Sequence, residues 1–321
     1  MMNRREFGRS IASVAAGTAA GSVAAAMPSS LGSQSKDASN GAVPFKLTVM
    51  LWTVFRGEAF AQRLDKVAEA GYHAVELVDE FKDWTKQDFA AARKKKRELG
   101  FDFDATAGVW HTLADANDRD AFLQAVRDFI PTMHELECTQ LILQSGNKVP
   151  GVSPEAMRAN CIETLKRGGD MAAQNGIELL VENIDPEENP KYFLTSSAEG
   201  FEIVRAVGNP HVKFLYDFFH EQIAEGNLIE KLEKNLELTG LVHVADVPGR
   251  HEPGTGEIYY PNIYRKLAEL GYDRHVAMEF LPKGEPIAEL RAAREMALKF
   301  GAAQPKTSSK ETASGRSHAT A

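Results

Sequence analysis

From Phe45 to Gly301, short apolar runs alternate with longer stretches of helical periodicity. Eight runs stand out: Leu47–Trp52, His73–Val78, Phe101–Thr106, Gln140–Gln144, Ile177–Glu182, Val212–Asp217, Leu241–Asp246 and Val276–Phe280. They are short, apolar and often β-branched, the pattern of strands buried on both faces. Between them apolar residues follow a helical stripe, as Phe60, Leu64 and Val67 do, or Ile287, Leu290 and Met296; Ile162, Leu165 and Ala172 do so less regularly. Gly71, Gly100, Gly176, Gly208 and Gly271 close helical segments just before the next run. Glycine takes the left-handed conformation past a helix end without a Cβ clash. Eight such units predict an α/β fold, a closed (β/α)8 barrel over residues 45–301. The alternative, an open doubly wound sheet, normally carries a Gly-rich phosphate loop after an early strand. No GxGxxG or Walker-type run is present.

The two ends do not share this pattern. Residues 1–26 read as an export signal: Arg4-Arg5 followed by Phe7, a mild apolar run from Ser10, and Ala24-Ala25-Ala26 as a small-residue cleavage site. The segment resembles a twin-arginine (Tat) signal, with Asn3 and Gly8 standing where that pattern usually has Ser or Thr and Leu. The resemblance implies passage through the Tat machinery, in the folded state, to the periplasm. The apolar run is short and weak for a membrane span, which takes about 20 predominantly apolar residues. Residues 27–44 read as a Ser/Gly/Ala-rich linker and residues 302–321 as a polar, disordered tail.

Charge and cysteine content narrow the function. A net charge of -8 over 321 residues argues against a nucleic-acid partner, since phosphate binding relies on Lys and Arg. Cys138 and Cys161 form neither a disulfide framework nor a zinc motif and read as small buried hydrophobes, with a bridge between them left open.

Four consecutive strands end in a polar group after an apolar run. The fifth ends in Glu182-Asn183, the sixth in Tyr216-Asp217; His243 lies in the seventh and Glu279 in the eighth. Barrel active sites sit at the C-terminal ends of the strands, so Glu182, Asp217, His243 and Glu279 are expected to converge at one mouth. Three carboxylates and an imidazole suit one divalent ion, Mn²⁺, Mg²⁺ or Co²⁺. Without a cation, clustered carboxylates raise one another's pKa.

At these positions the motifs become specific. Glu182-Asn183, Tyr216-Asp217-Phe218-Phe219-His220, His243-Val244-Ala245-Asp246, Pro253-Gly254-Thr255-Gly256-Glu257 and Met278-Glu279-Phe280 resemble the xylose-isomerase-like TIM barrel superfamily, and within it the hydroxypyruvate isomerase family. The likeness spans roughly Leu47 to Leu298 and is firmer in the second half. It implies that Glu182, Asp217, His243 and Glu279 bind the metal and that Glu182 and Glu279 also carry the proton. Aldose–ketose isomerisation moves a proton between adjacent carbons through an enediolate. A metal stabilises that anion as a Lewis acid, and a carboxylate takes and returns the proton. The resemblance further implies that His220 and Arg250 contact oxygens of a small-molecule substrate, the guanidinium suiting a carboxylate. Two departures stand out. His243 occupies a position where cytoplasmic hydroxypyruvate isomerases often have Gln and epimerase relatives have His, and the third strand ends Asp104-Ala105-Thr106-Ala107-Gly108 without the family's histidine.

Other residues carry two readings. His220 also reads as a surface histidine at a helix start, and Arg250 as a solvated loop arginine. Glu257 reads as the structural end of a Gly-rich turn, and Glu76 as a substrate contact or a buried hydrogen-bonded acid. Trp110 and His111 read as pocket wall, and Met50, Trp52 and Phe55 as an apolar wall or core. The same carboxylate pair also suits a sugar 3-epimerase. A non-catalytic carbohydrate-binding protein would not need both glutamates, and an endonuclease would call for more histidines, several metals and a basic groove. A homo-oligomer is left open. Removing residues 1–42 and 302–321 together is expected to leave the thermal midpoint and activity nearly unchanged; a large loss of folded protein would show that a terminus packs on the barrel.

Overall fold

The computed structural model describes residues 43–302. Among them, eight parallel strands close into a barrel in sequence order, and the first pairs with the last. The strands are β1 (Lys46–Met50), β2 (Ala74–Leu77), β3 (Asp102–Ala107), β4 (Gln140–Gln144), β5 (Glu178–Glu182), β6 (Val212–Asp217), β7 (Thr239–Val244) and β8 (His275–Met278). Helices separate them on the outside, from Phe60–Glu69 after β1 to the closing helix Pro286–Gly301. The (β/α)8 TIM barrel expected from the alternation of runs is the fold. The expected signal, nearly all of the expected linker, and the tail beyond Ala302 lie outside the described residues.

The strand ends differ from the expected runs in ways the backbone explains. After Met50 the chain winds a 3-10 turn, Leu51–Thr53, which takes Trp52 out of β1. β7 begins two residues early, at Thr239, and stops at Val244. Glu279 lies just past β8, yet its N–H still donates to the Val244 carbonyl at 3.1 Å, so the ladder carries it to the barrel rim.

The five helix-closing glycines all have positive φ; at Gly100 and Gly176 it is 64° and 65°. A Cβ in this left-handed region collides with the residue's own backbone, which is why glycine stops the helix there. The long helix Pro154–Asn175 starts with equal definition: the Ser153 hydroxyl accepts from Ala156 N–H, and Pro154 needs no donor in the first turn.

Two apolar layers form. The larger lies between sheet and helices. A smaller one, including Met50, Ile142, Leu180, Leu215 and Leu241, forms a separate cluster. Side chains two apart on a strand share a face. Leu180, Leu215 and Leu241 therefore lie directly beneath Glu182, Asp217 and His243, and the polar mouth rests on a greasy floor. Cys138 and Cys161 are buried free thiols, and burial pushes both up to about 12.

Candidate active site

Period-two alternation delivers Glu182, Asp217, His243 and Glu279 to the same mouth. All four are at most 1% exposed, and one donor atom from each lies within 4.8 Å of the others. Ligands about 2.1 Å from a hard cation stand roughly 3–4 Å apart, so this spacing needs little contraction to close on an ion. His243 Nδ1 is 2.6 Å from Glu279 Oε2 and 3.9 Å from Glu182 Oε1. Asp217 also caps the short helix Phe218–Ala224, its Oδ1 accepting from Phe219 N–H at 2.8 Å. That bond leaves Oδ2 for the cluster.

Three buried carboxylates need positive partners, because water cannot screen them. Arg250 supplies one. Its Nη2 lies 2.7 Å from Glu279 Oε2 and 3.3 Å from Asp217 Oδ2; its Nη1 lies 3.2 Å from Glu188 Oε2 and from His220 Nε2. Burial works against this charge, but Glu279, Asp217 and Glu188 outweigh it and hold the guanidinium firmly protonated. Its carbon is also 4.9 Å from the Phe219 ring centroid. The solvated-loop reading of Arg250 is therefore set aside: the residue is only 7% exposed.

Reaching this position takes an unusual loop. After β7 the chain folds around Asp246, whose carboxylate accepts from the N–H groups of Val247, Gly254, Gly256 and Ile258 at 2.8–3.0 Å. The Pro-Gly-Thr-Gly-Glu motif is the wrapping. A Cβ on Gly256 would lie 2.0 Å from the Val247 carbonyl oxygen. Glu257 closes the loop through its N–H to Val247 O, and its side chain accepts from Gln222. Arg250 itself adopts φ 56°, a left-handed conformation for a residue with a side chain. Its carbonyl accepts from Leu281 N–H at 2.7 Å, tying the loop to the chain after β8.

His220 is buried at 1%, so the surface-histidine reading falls. Its Nδ1 is 2.7 Å from Asp185 Oδ2, and its Nε2 is 3.5 Å from Asp217 Oδ2. Burial pulls its pKa down, but Asp217 and Glu188 prevail and push it up to about 9. Asp185 also accepts from Glu187 and Glu188 N–H, both at 2.9 Å. Against burial, the bonds from His220 and the backbone hold Asp185 below its usual range. Sequence reasoning alone misses Asp185 and Glu188. Their only signal is the acidic stretch after Glu182, which looks like an ordinary solvated loop.

Trp52 is more than a wall: its indole N–H donates to Glu279 Oε1 at 2.9 Å. Met50 joins the small apolar cluster, and Phe55 packs half-buried on the larger one. Glu76, on β2, is fully buried 3.0 Å from His243 Nε2, and burial pushes it up to about 8. His111 pairs with Asp118 at 2.9 Å, and Trp110 is 37% exposed.

A parallel eight-stranded barrel with a buried, oxygen-rich donor set at the strand ends defines a class of barrel enzymes with a candidate metal centre. The family model for the xylose isomerase-like TIM barrel matches residues 64–299. The chain belongs to that family. It is 31% identical to a putative hydroxypyruvate isomerase of Danio rerio over 76% of its own length and 92% of that protein's. It is also 31% identical to a 2-oxo-tetronate isomerase of Cupriavidus necator, over 74% of this chain and 93% of that one. Among solved structures it resembles one titled as a family 2 AP endonuclease from Brucella melitensis, at 28% identity and a TM-score of 0.69, covering 77% of this chain and 96% of that one. Its relatedness to named isomerases, over about three quarters of its own length and more than nine tenths of theirs, makes this chain an isomerase-type enzyme.

Replacing Asp246 with Asn puts an amide where four backbone donors converge. Urea unfolding should show a loss of about 1–3 kcal/mol, the range for hydrogen bonds to a charged acceptor and for donors left unmet. An unchanged midpoint would mean that something other than this carboxylate holds the loop.

Proposed function

We propose that this protein is a divalent-metal-dependent isomerase of a small hydroxy-carbonyl acid, of the kind represented by hydroxypyruvate or 2-oxo-tetronate. The observation that carries the reading is the pair of buried glutamates, Glu182 and Glu279, whose donor atoms fall within 4.8 Å of each other and of Asp217 and His243. The donor set fits one divalent ion, held by Glu182, Asp217, His243 and Glu279. Such an ion would supply Lewis-acid polarisation of the substrate carbonyl.

The chain's own groups do the rest. One glutamate takes the proton from the hydroxyl-bearing carbon, leaving an enediolate, and the same or the other glutamate returns a proton to the neighbouring carbon. The hydroxyl proton passes to the former carbonyl oxygen, so carbonyl and hydroxyl exchange places with no net gain or loss of atoms. Trp52 holds Glu279 Oε1 through its indole N–H and so sets the orientation of that carboxylate. Arg250 and His220 are the donors for substrate oxygens, Arg250 for a carboxylate above all. The apolar floor of Leu180, Leu215 and Leu241 keeps water from beneath the reacting carbons. Delivering the proton to the opposite face of the same carbon would give a 3-epimerase, so product identification decides between the two.

The test is turnover of hydroxypyruvate, 2-oxo acids, pentoses and ketohexoses by Mn²⁺-loaded protein, with the products identified. Glu182→Gln and Glu279→Gln are expected to lower the rate at least about 10²–10⁴-fold while partly retaining the ion, because an amide cannot accept a carbon-bound proton. Arg250→Ala should act chiefly on KM. In deuterated water the product should gain solvent deuterium. A Glu279→Gln variant with normal turnover would remove the two-glutamate mechanism.

The proposal extends to location: residues 1–26 direct export through the Tat machinery to the periplasm. The motif Asn3-Arg4-Arg5-Glu6-Phe7 supports it. Arg4→Lys with Arg5→Lys should hold the precursor inside the cell, and undiminished export of the double variant would reject the assignment.

A further inference from the structure

His243 turns its two ring nitrogens to different groups. Nδ1 lies among the donor atoms of the cluster, 2.6 Å from Glu279 Oε2. Nε2 lies 3.0 Å from Glu76 Oε2. Glu76 is on β2 and His243 on β7, three strands apart round the closed barrel, so the contact spans the barrel interior. Both side chains are 0% exposed. Glu76 is not one of the four clustered donors, and among the described residues neither its two oxygens nor His243 Nε2 makes a well-aligned hydrogen bond; the pair stands as a close contact of 3.0 Å. A fully buried carboxyl group with so few partners is costly to keep. The imidazole lies against it at 3.0 Å.

A neutral imidazole carries a single ring proton. On Nε2, that proton leaves a lone pair on Nδ1 free to ligate; on Nδ1, it occupies the place where a cation must bind. An acceptor opposite Nε2 decides between these two forms and holds the plane of the ring. We infer that Glu76 is a positioning residue, which accepts the Nε2–H of His243 and so presents a bare Nδ1 to the cation-binding cluster. The inference rests on the metal reading given above. It does not depend on the charge of Glu76, because Oε2 accepts whether or not Oε1 carries a proton.

Mn²⁺ affinity, measured by calorimetry on the full chain, is the first test. Glu76→Leu should weaken Mn²⁺ binding about 10–100-fold, the usual effect of removing an outer partner of a ligating histidine. Glu76→Gln keeps an accepting oxygen and should restore most of the affinity. The second test does not need the leucine variant to fold. In Zn²⁺-loaded protein the His243 Nε2–H proton should resonate far downfield, and Glu76→Gln should move it upfield because an amide is the weaker acceptor. If the unaltered chain binds no Mn²⁺, the metal reading fails and this inference fails with it. If it binds Mn²⁺ and Glu76→Leu binds within about twofold of it, or if the Nε2–H resonance ignores Glu76→Gln, only the inference is overturned.

Discussion

Gathering negative charge where water cannot reach it is the constraint to which the rest of this barrel answers. Glu182, Asp217 and Glu279 are each 0–1% exposed, and Glu76 adds a fourth carboxyl group to the same interior. Burying such groups without polar partners is costly. They are held instead by a small set of fixed cationic or donor groups: Arg250, His243, His220 and the Trp52 indole. Two irregular segments bring two of those groups in. The 3-10 turn Leu51–Thr53 carries Trp52. The loop between β7 and the helix Tyr260–Glu269 wraps a carboxylate of its own, Asp246, so that Arg250 can reach across to Glu279 and Glu188.

The regular structure contributes a different asset. Because side chains alternate along a strand, three of the four clustered polar residues and the residues that insulate them come from the same three strands. Leu180 sits below Glu182, Leu215 below Asp217 and Leu241 below His243. A low-polarity floor strengthens every electrostatic contact above it. The proton chemistry proposed for the two glutamates depends on that insulation as much as on the glutamates.

The barrel is readable because its strands are buried on both faces and therefore spell continuous apolar runs. All eight are legible to within two residues or so of their ends. The exceptions have local causes, such as the 3-10 turn that removes Trp52 from β1. The four clustered donors are legible because each follows an apolar run at a strand end, where barrels place their chemistry. Asp185, Glu188 and the indole bond from Trp52 are not. Their positions depend on how separate loops fold against one another, as in the bond between Asp185 and His220, 35 residues apart. The purpose of the Gly-rich motif is also hidden. Pro253 to Glu257 announces a turn, but not that Asp246 lies at its centre collecting four N–H groups.

Arg250 adopts φ 56°, a conformation that glycine enters freely and other residues enter at a cost of order 1–3 kcal/mol. The two demands on this position therefore conflict. A glycine would relax the backbone and take away the guanidinium that counters Glu279, Asp217 and Glu188. Leaving those buried carboxylates without their cation costs about 3–5 kcal/mol, more than the strain relieved, so the charge balance of the site outweighs the backbone and holds arginine here. A relative with glycine here would have to rebalance the whole mouth, with fewer buried carboxylates or another cation in place of the guanidinium, so the identity of this one residue reports the charge of the entire site.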